Sequence, residues 1–171
     1  MDVVLYPDPI LRKTAETVTT FDASLREIAD AMHQTMAKAK GVGLAAPQVG
    51  LSIRLLVLNP TGKAADAVTL VNPKLTSLRG AEFDEEGCLS FPGIYAEISR
   101  ATSLVVEAQD LDGKPIRIAA EDYVARIIQH EFDHLEGVLF VDRMSAADKV
   151  RVRGALKKLD AQFQERAGAP K

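Results

Sequence analysis

The segment from about Glu121 to Glu136 constrains this chain most, because it reads as a helix apolar on nearly every side that nevertheless carries two histidines and a glutamate. Tyr123, Val124, Ile127, Ile128, Phe132 and Leu135 surround it, acidic residues stand in its first turn, and Gly137 supplies a stop. A helix of that kind belongs in a protein interior. Within it, His130-Glu131-Phe132-Asp133-His134 is an H-E-x-x-H pattern. The helical repeat puts both histidines on one face, about 6 Å apart along the axis, so both imidazoles can reach one ion. Glu131 falls on the adjoining edge, where its carboxylate can act on a water at that ion without being a ligand. The spacing also suits a solvent-facing pair or core histidines with satisfied nitrogens. Burying these groups without partners is costly, however, and a divalent ion satisfies all three.

A catalytic metal needs a third protein ligand and an open position. Cys88 is the candidate, in Glu85-Glu86-Gly87-Cys88-Leu89-Ser90, after a strand-like segment and a glycine that lets the backbone approach a neighbour closely. A lone cysteine is equally at home as a small buried hydrophobe, and other carboxylates are available as ligands. Being single, it makes no internal disulfide. The segment Gly41-Val42-Gly43-Leu44-Ala45-Ala46-Pro47-Gln48 combines two glycines, small residues and a terminal amide. Such a loop can pass close to a ligand, with Gln48 donating to a developing oxyanion, or it can be a plain helix-to-strand connection.

Around these motifs the chain reads as α+β. A first helix is expected from about Asp22 to Lys40, with Ser24 and Glu27 as a capping box. Ile53 to Leu58, Leu70-Val71, Leu75 to Leu78 and Leu104 to Ala108 have strand character. Asp112-Gly113 reads as a hairpin turn before Ile116-Ile118, making at least part of the sheet antiparallel. A third helix starts near Ser145 with Val152, Ala155, Leu156, Leu159 and Phe163 on one face, and a polar tail follows about Arg166. With 171 residues, 47% of them hydrophobic, and no repeat or linker, one domain over residues 1–171 is expected. The formal charge of −3 offers no basic excess to clamp a phosphate backbone, so nucleic acid is not the expected substrate. No apolar run approaches a membrane span and the N-terminus lacks the features of a signal peptide. A cytoplasmic protein, or an organellar one trimmed of its transit peptide, is expected.

Gly41 to Gln48, Glu86 to Ser90 and Gln129 to Gly137 resemble, in order and spacing, the three signature motifs of peptide deformylases, and the similarity runs from about Leu5 through the C-terminal helix. The resemblance implies antiparallel sheets around a central helix carrying H-E-x-x-H. It implies that Cys88, His130 and His134 bind the metal, that Glu131 is the general acid and base, and that Gln48 and the Leu89 N–H hold the formyl oxygen. The implied activity is removal of the formyl group from formyl-methionine at the start of nascent chains, and a monomer is expected. Fe2+ is the implied physiological ion, with Zn2+ or Ni2+ found in purified protein. Gly43, Val42, Tyr123 and Ile127 are the candidate contacts for the methionine residue, an assignment that ordinary core packing would also explain. Tyr95, Arg100 and Arg126 receive no role. Lys149, Arg153 and Lys157 recur every fourth residue on the third helix, as a solvated face or as a contact for ribosomal RNA.

Overall fold

A computed structural model describes residues 1–168, with side chains through Arg166. Helix α1 spans Ala23–Lys38, and strands β1 (Gly43–Ala45), β2 (Leu55–Leu58) and β3 (Val68–Arg79) follow it. Next come β4 (Glu82–Cys88), β5 (Phe91–Arg100), β6 (Ser103–Gln109) and β7 (Pro115–Glu121), then α2 (Asp122–Leu135), the single-turn α3 (Phe140–Arg143) and α4 (Ala146–Gly168). Five strands form one sheet in the order β1-β2-β3-β6-β7, and β4 pairs with β5 in a separate hairpin. Every one of these pairings is antiparallel.

Strand β2 shows why the sheet is covered on both faces. All four of its residues are buried, and successive side chains of a strand point to opposite sides. Leu56 and Leu58 pack with Leu104 and Val106 against Ala125, Ile128 and Leu135 of α2. Leu55 and Val57 pack with Leu25, Met32 and Met36 of α1. Each such leucine contributes roughly 1.5–3 kcal/mol by leaving water. A third cluster joins Phe91, Ile94 and Ile98 of the hairpin to Phe140, Val152 and Leu159, tying α3 and α4 to β5. The α+β class with a central helix is therefore the observed one.

Helix α2 leaves β7 with no connecting loop. Asp122 takes φ of +47°, a conformation that Asp tolerates better than most residues, and its N–H donates to the Thr102 carbonyl at 2.7 Å. This sharp entry drives the helix under the sheet, and from Ala125 to Leu135 all but Phe132 are buried.

Several local expectations are corrected. Helix α1 is capped by Asp22, whose carboxylate accepts the Leu25 N–H at 3.1 Å, so Ser24 and Glu27 do not form the expected box. Leu70-Val71 and Leu75 to Leu78 belong to one strand, β3, whose pairing shifts register between Val71 and Lys74. Asn72 there has a positive φ of 51° while its side chain bonds Val18 and Gln109. The strand expected from Ile53 begins at Leu55. Ala155 is exposed rather than packed. Helix α4 continues through Gly168, and the remainder of the polar tail expected after Arg166 lies outside the described residues.

Candidate active site

The hairpin and the central helix bring the chemistry-bearing side chains together. Cys88 ends β4, and His130 and His134 stand one turn apart on α2 with ring centroids 5.2 Å apart. Candidate ligand atoms of these three residues all lie within 4.8 Å of one another, and Cys88 Sγ is 3.3 Å from His134 Nε2. A thiolate and two imidazoles are a donor set that suits a divalent transition metal. Burial, the largest influence on His134, holds its pKa well below the ordinary value and keeps the ring neutral, the state a ligand needs. Burial also acts to lower His130, but contacts with Cys88 and Glu86 outweigh it and raise that ring well above its usual value. The pocket thus attracts positive charge between the thiol and the carboxylate, and an ion there would take the place of that proton. These observations fit a metal.

Glu86 was not singled out from sequence, and it organises the centre. Its Oε2 accepts from His130 Nδ1 at 2.9 Å, which leaves Nε2 of that ring to face the thiol. Arg100 donates to both Glu86 oxygens at 2.9 and 3.0 Å, and Arg126 donates to Oε1 at 2.8 Å. Burial works against the Glu86 carboxylate, yet the bonds from His130 and Arg100 prevail and hold its pKa down to about 2. Asp133 accepts from Arg100 and from the exposed Arg143, so a chain of alternating charge runs from the buried centre to the surface. A usable signal existed: Glu86 and Cys88, two apart on a strand, share a face.

Glu131 is buried, its Oε2 has no hydrogen-bond partner, and burial lifts its pKa to about 7. A buried carboxylate with one oxygen unpartnered beside a metal-binding cluster is poised to exchange a proton near neutral pH. The loop from Gly41 makes room for it. A side chain at Gly43 would collide with the Glu131 carboxylate, and one at Gly41 would lie 2.7 Å from Leu89 Cδ1. That segment is more ordered than a loop, containing β1 and a helical turn over Ala46–Val49. Gln48 Oε1 accepts the Ala45 N–H at 2.8 Å, which orients Nε2 toward Ser90 Oγ at 3.3 Å and Cys88 Sγ at 3.5 Å. Leu89 stands in the two-residue turn between the paired residues Cys88 and Phe91.

A cleft of about 560 Å³ opens on this cluster between end strand β1 and hairpin strand β4. Val42, Gly43, Tyr123 and Ile127 all line it, with Gln48, Leu89 and Glu131. Tyr123 is 52% exposed, so it forms the rim rather than part of a buried face as its place on an apolar helix suggested. Of the residues without an assigned role, Tyr95 covers Gly87 at the cleft edge, while Arg100 and Arg126 are buried in the charge chain.

The family model described as polypeptide deformylase matches residues 1–150. The chain is 45% identical to the chloroplastic/mitochondrial peptide deformylase 1B of Arabidopsis thaliana over 99% of its own length. It spans 63% of the length of that relative and 64% of the rice chloroplastic form. The peptide deformylase of Acidobacterium capsulatum is 43% identical, covering 92% of this chain and 94% of the relative. Among solved structures, the Arabidopsis enzyme bound to an inhibitor superposes with a TM-score of 0.94 at 44% identity, covering 99% of this chain and 96% of that one. The Plasmodium falciparum peptide deformylase gives 0.93 at 37% identity, covering 99% of both.

Proposed function

Because the chain belongs to the polypeptide deformylase family, we propose that it is a metal-dependent hydrolase that removes the formyl group from formyl-methionine at the start of newly made proteins, releasing formate. The observation that carries this reading is the unpartnered Glu131 Oε2 beside the clustered Cys88, His130 and His134 donors, with Glu131, Cys88 and His130 lining one cleft. A closed structural metal site needs neither a base nor an oxyanion donor, which argues against a mere binding module.

In this reading Cys88, His130 and His134 hold the ion, and Glu86 keeps His130 aimed at it. A bound divalent ion supplies Lewis acidity, lowering the pKa of a water and polarising the formyl group. The peptide enters extended between β1 and β4, with its methionine side chain against Val42, Tyr123 and Ile127 and its backbone near Gly43. Glu131 takes the proton of the attacking water and returns it to the formyl nitrogen as the amine leaves. Gln48 Nε2 and the Leu89 N–H meet the negative charge that develops on the formyl oxygen.

Fe2+ is the proposed resident ion, with Zn2+ or Ni2+ as substitutes, since thiolate and imidazole accept all three and occupancy follows supply. The chain is proposed to act as one catalytic domain, monomeric and cytoplasmic. Among the described residues no helix is long and apolar enough to cross a membrane. Lys149, Arg153 and Lys157 stand exposed along α4 and are proposed to touch ribosomal RNA. Charge reversal at all three should weaken ribosome co-sedimentation at low salt, and unchanged sedimentation rejects that contact.

The test of the activity is anaerobic turnover of matched formylated and unformylated Met peptides, with metal analysis of the same sample. Release of formate from the formylated peptide alone supports the reading. Cleavage of internal peptide bonds regardless of the formyl group would make the protein a broader metallopeptidase.

A further inference from the structure

The two groups placed at the formyl oxygen come from different sheets. Gln48 lies in the helical turn that follows β1, and Leu89 lies in the turn between β4 and β5, while no strand pairing joins the five-stranded sheet to the hairpin. Among the described residues no backbone hydrogen bond links the two turns directly. The segment Val4-Leu5-Tyr6, ahead of α1, links them instead. The Val4 N–H donates to the Gln48 carbonyl at 2.8 Å, and the Tyr6 N–H donates to the Ser90 carbonyl at 3.0 Å. Two residues apart on an extended chain, such N–H groups point the same way and can hold two neighbours side by side. Both accepting residues are buried, so water does not compete for these bonds. The Tyr6 ring also stacks on Phe91, with centroids 4.8 Å apart, and Phe91 follows Ser90 and lines the cleft. The Gln48 amide does reach Ser90 Oγ at 3.3 Å, but an amide that must turn to an oxyanion cannot also serve as the fastening.

We propose that Val4 is a positioning residue, whose N–H, together with that of Tyr6, straps the Gln48 turn to the Leu89 turn and sets the gap in which the developing oxyanion is met. This rests on those two donors forming the oxyanion site of the proposed deformylation. Such donors act only when held within about 0.5 Å of the productive geometry. Releasing the Gln48 carbonyl lets its turn drift from the hairpin. The metal donors stand on β4 and α2 and keep their places. The charge exists only in the transition state, so the loss falls on kcat and leaves KM alone.

The test measures kcat, KM and bound metal with a formyl-Met peptide. Val4→Pro removes the N–H, whereas Val4→Ala keeps it and trims the side chain. Val4→Pro should lower kcat about 10–100-fold, up to the scale on which a 1 Å misplacement acts, with KM and metal unchanged. Val4→Ala should stay close to the parent. Replacing Val4 by its α-hydroxy acid, which exchanges only the N–H for an ester oxygen, should act like proline and covers the case in which the proline variant does not fold. Because the strap acts through Gln48, Val4→Pro should add little to the loss that Gln48→Ala already causes, while an independent packing defect would add in full. Formate release by the parent reports separately on the proposed activity, and its absence overturns that activity and the strap together. With an active parent, any of four results overturns the strap alone: parent-like kcat in the folded proline or ester variant, equal losses in Val4→Ala and Val4→Pro, a loss that tracks bound metal, or losses from Val4→Pro and Gln48→Ala that multiply.

Discussion

Glu86 Oε2 and His130 Nδ1 lie 2.9 Å apart, so the residue two places before the candidate cysteine ligand on β4 orients a histidine on the helix beneath it. One carboxylate therefore fixes the relative position of the hairpin and the helix at the point where their side chains must share an ion. It does so while neutralising Arg100 and Arg126, both buried.

Glu86→Gln should lower metal affinity about 10–100-fold, the usual effect of removing the partner behind a ligating histidine. It should also destabilise the fold, because the buried Arg126 loses the carboxylate it pairs with while Arg100 is left with Asp133 alone, and uncovering a buried charge costs about 3–5 kcal/mol in comparable pairs. Metal content after dialysis against a chelator and the thermal midpoint, read side by side, check both effects. Normal metal retention would mean that His130 needs no such orientation.

Gly43→Ala should leave the metal in place and slow turnover by about 100-fold, the scale on which a 1 Å displacement of a reacting group acts. A methyl group there would lie 2.8 Å from Glu131 Cγ and 2.9 Å from Cδ, closer than carbon atoms approach, so the carboxylate must shift. Turnover equal to the parent would show that Glu131 can work from another position.

What was readable in the sequence followed from periodicity and from donor chemistry. The buried α2, the antiparallel β6-β7 hairpin and the convergence of Cys88 with His130 and His134 all had a local signature. Strand β5 did not, because its inward positions from Ile94 include Ala96 and Arg100, and an arginine on a core-facing position breaks the apolar alternation. Its partner β4 is largely acidic and exposed, with Glu86 as its one buried residue. The charge chain through Arg100, Glu86 and Asp133 was hidden for the same reason. Charged residues read as surface until a fold places them against one another.

Cys88→Ser should lose most of the metal and most of the activity, since a hydroxyl stays protonated at neutral pH and is a poor replacement for thiolate. Serine is close in size, and Cys88 is only partly buried, so the thermal midpoint of the metal-free protein should change little. One ion per chain and full turnover in this variant would remove Cys88 from the ligand set.

Glu131→Gln should keep the metal and the fold while losing nearly all turnover. The side chain is buried between α2 and the β1 segment at the cleft wall, with Gly43 against its carboxylate and Oε2 left without a partner. Glutamine fits that space, because it has the same number of heavy atoms and can still hydrogen-bond a water. It also relieves the cost of burying a charge, so the thermal midpoint should hold or rise. What it cannot do is accept a proton. If Glu131 carries the proton from water to the departing amine, its loss should slow the reaction by about 10²–10⁴-fold, the range of general acid and base catalysis. A structural role would instead lower the midpoint, and a ligand role would lower metal content, each in step with activity. Turnover of a formyl-Met peptide, bound metal and thermal midpoint measured on one preparation separate the three, and near-parent turnover rejects the catalytic role outright.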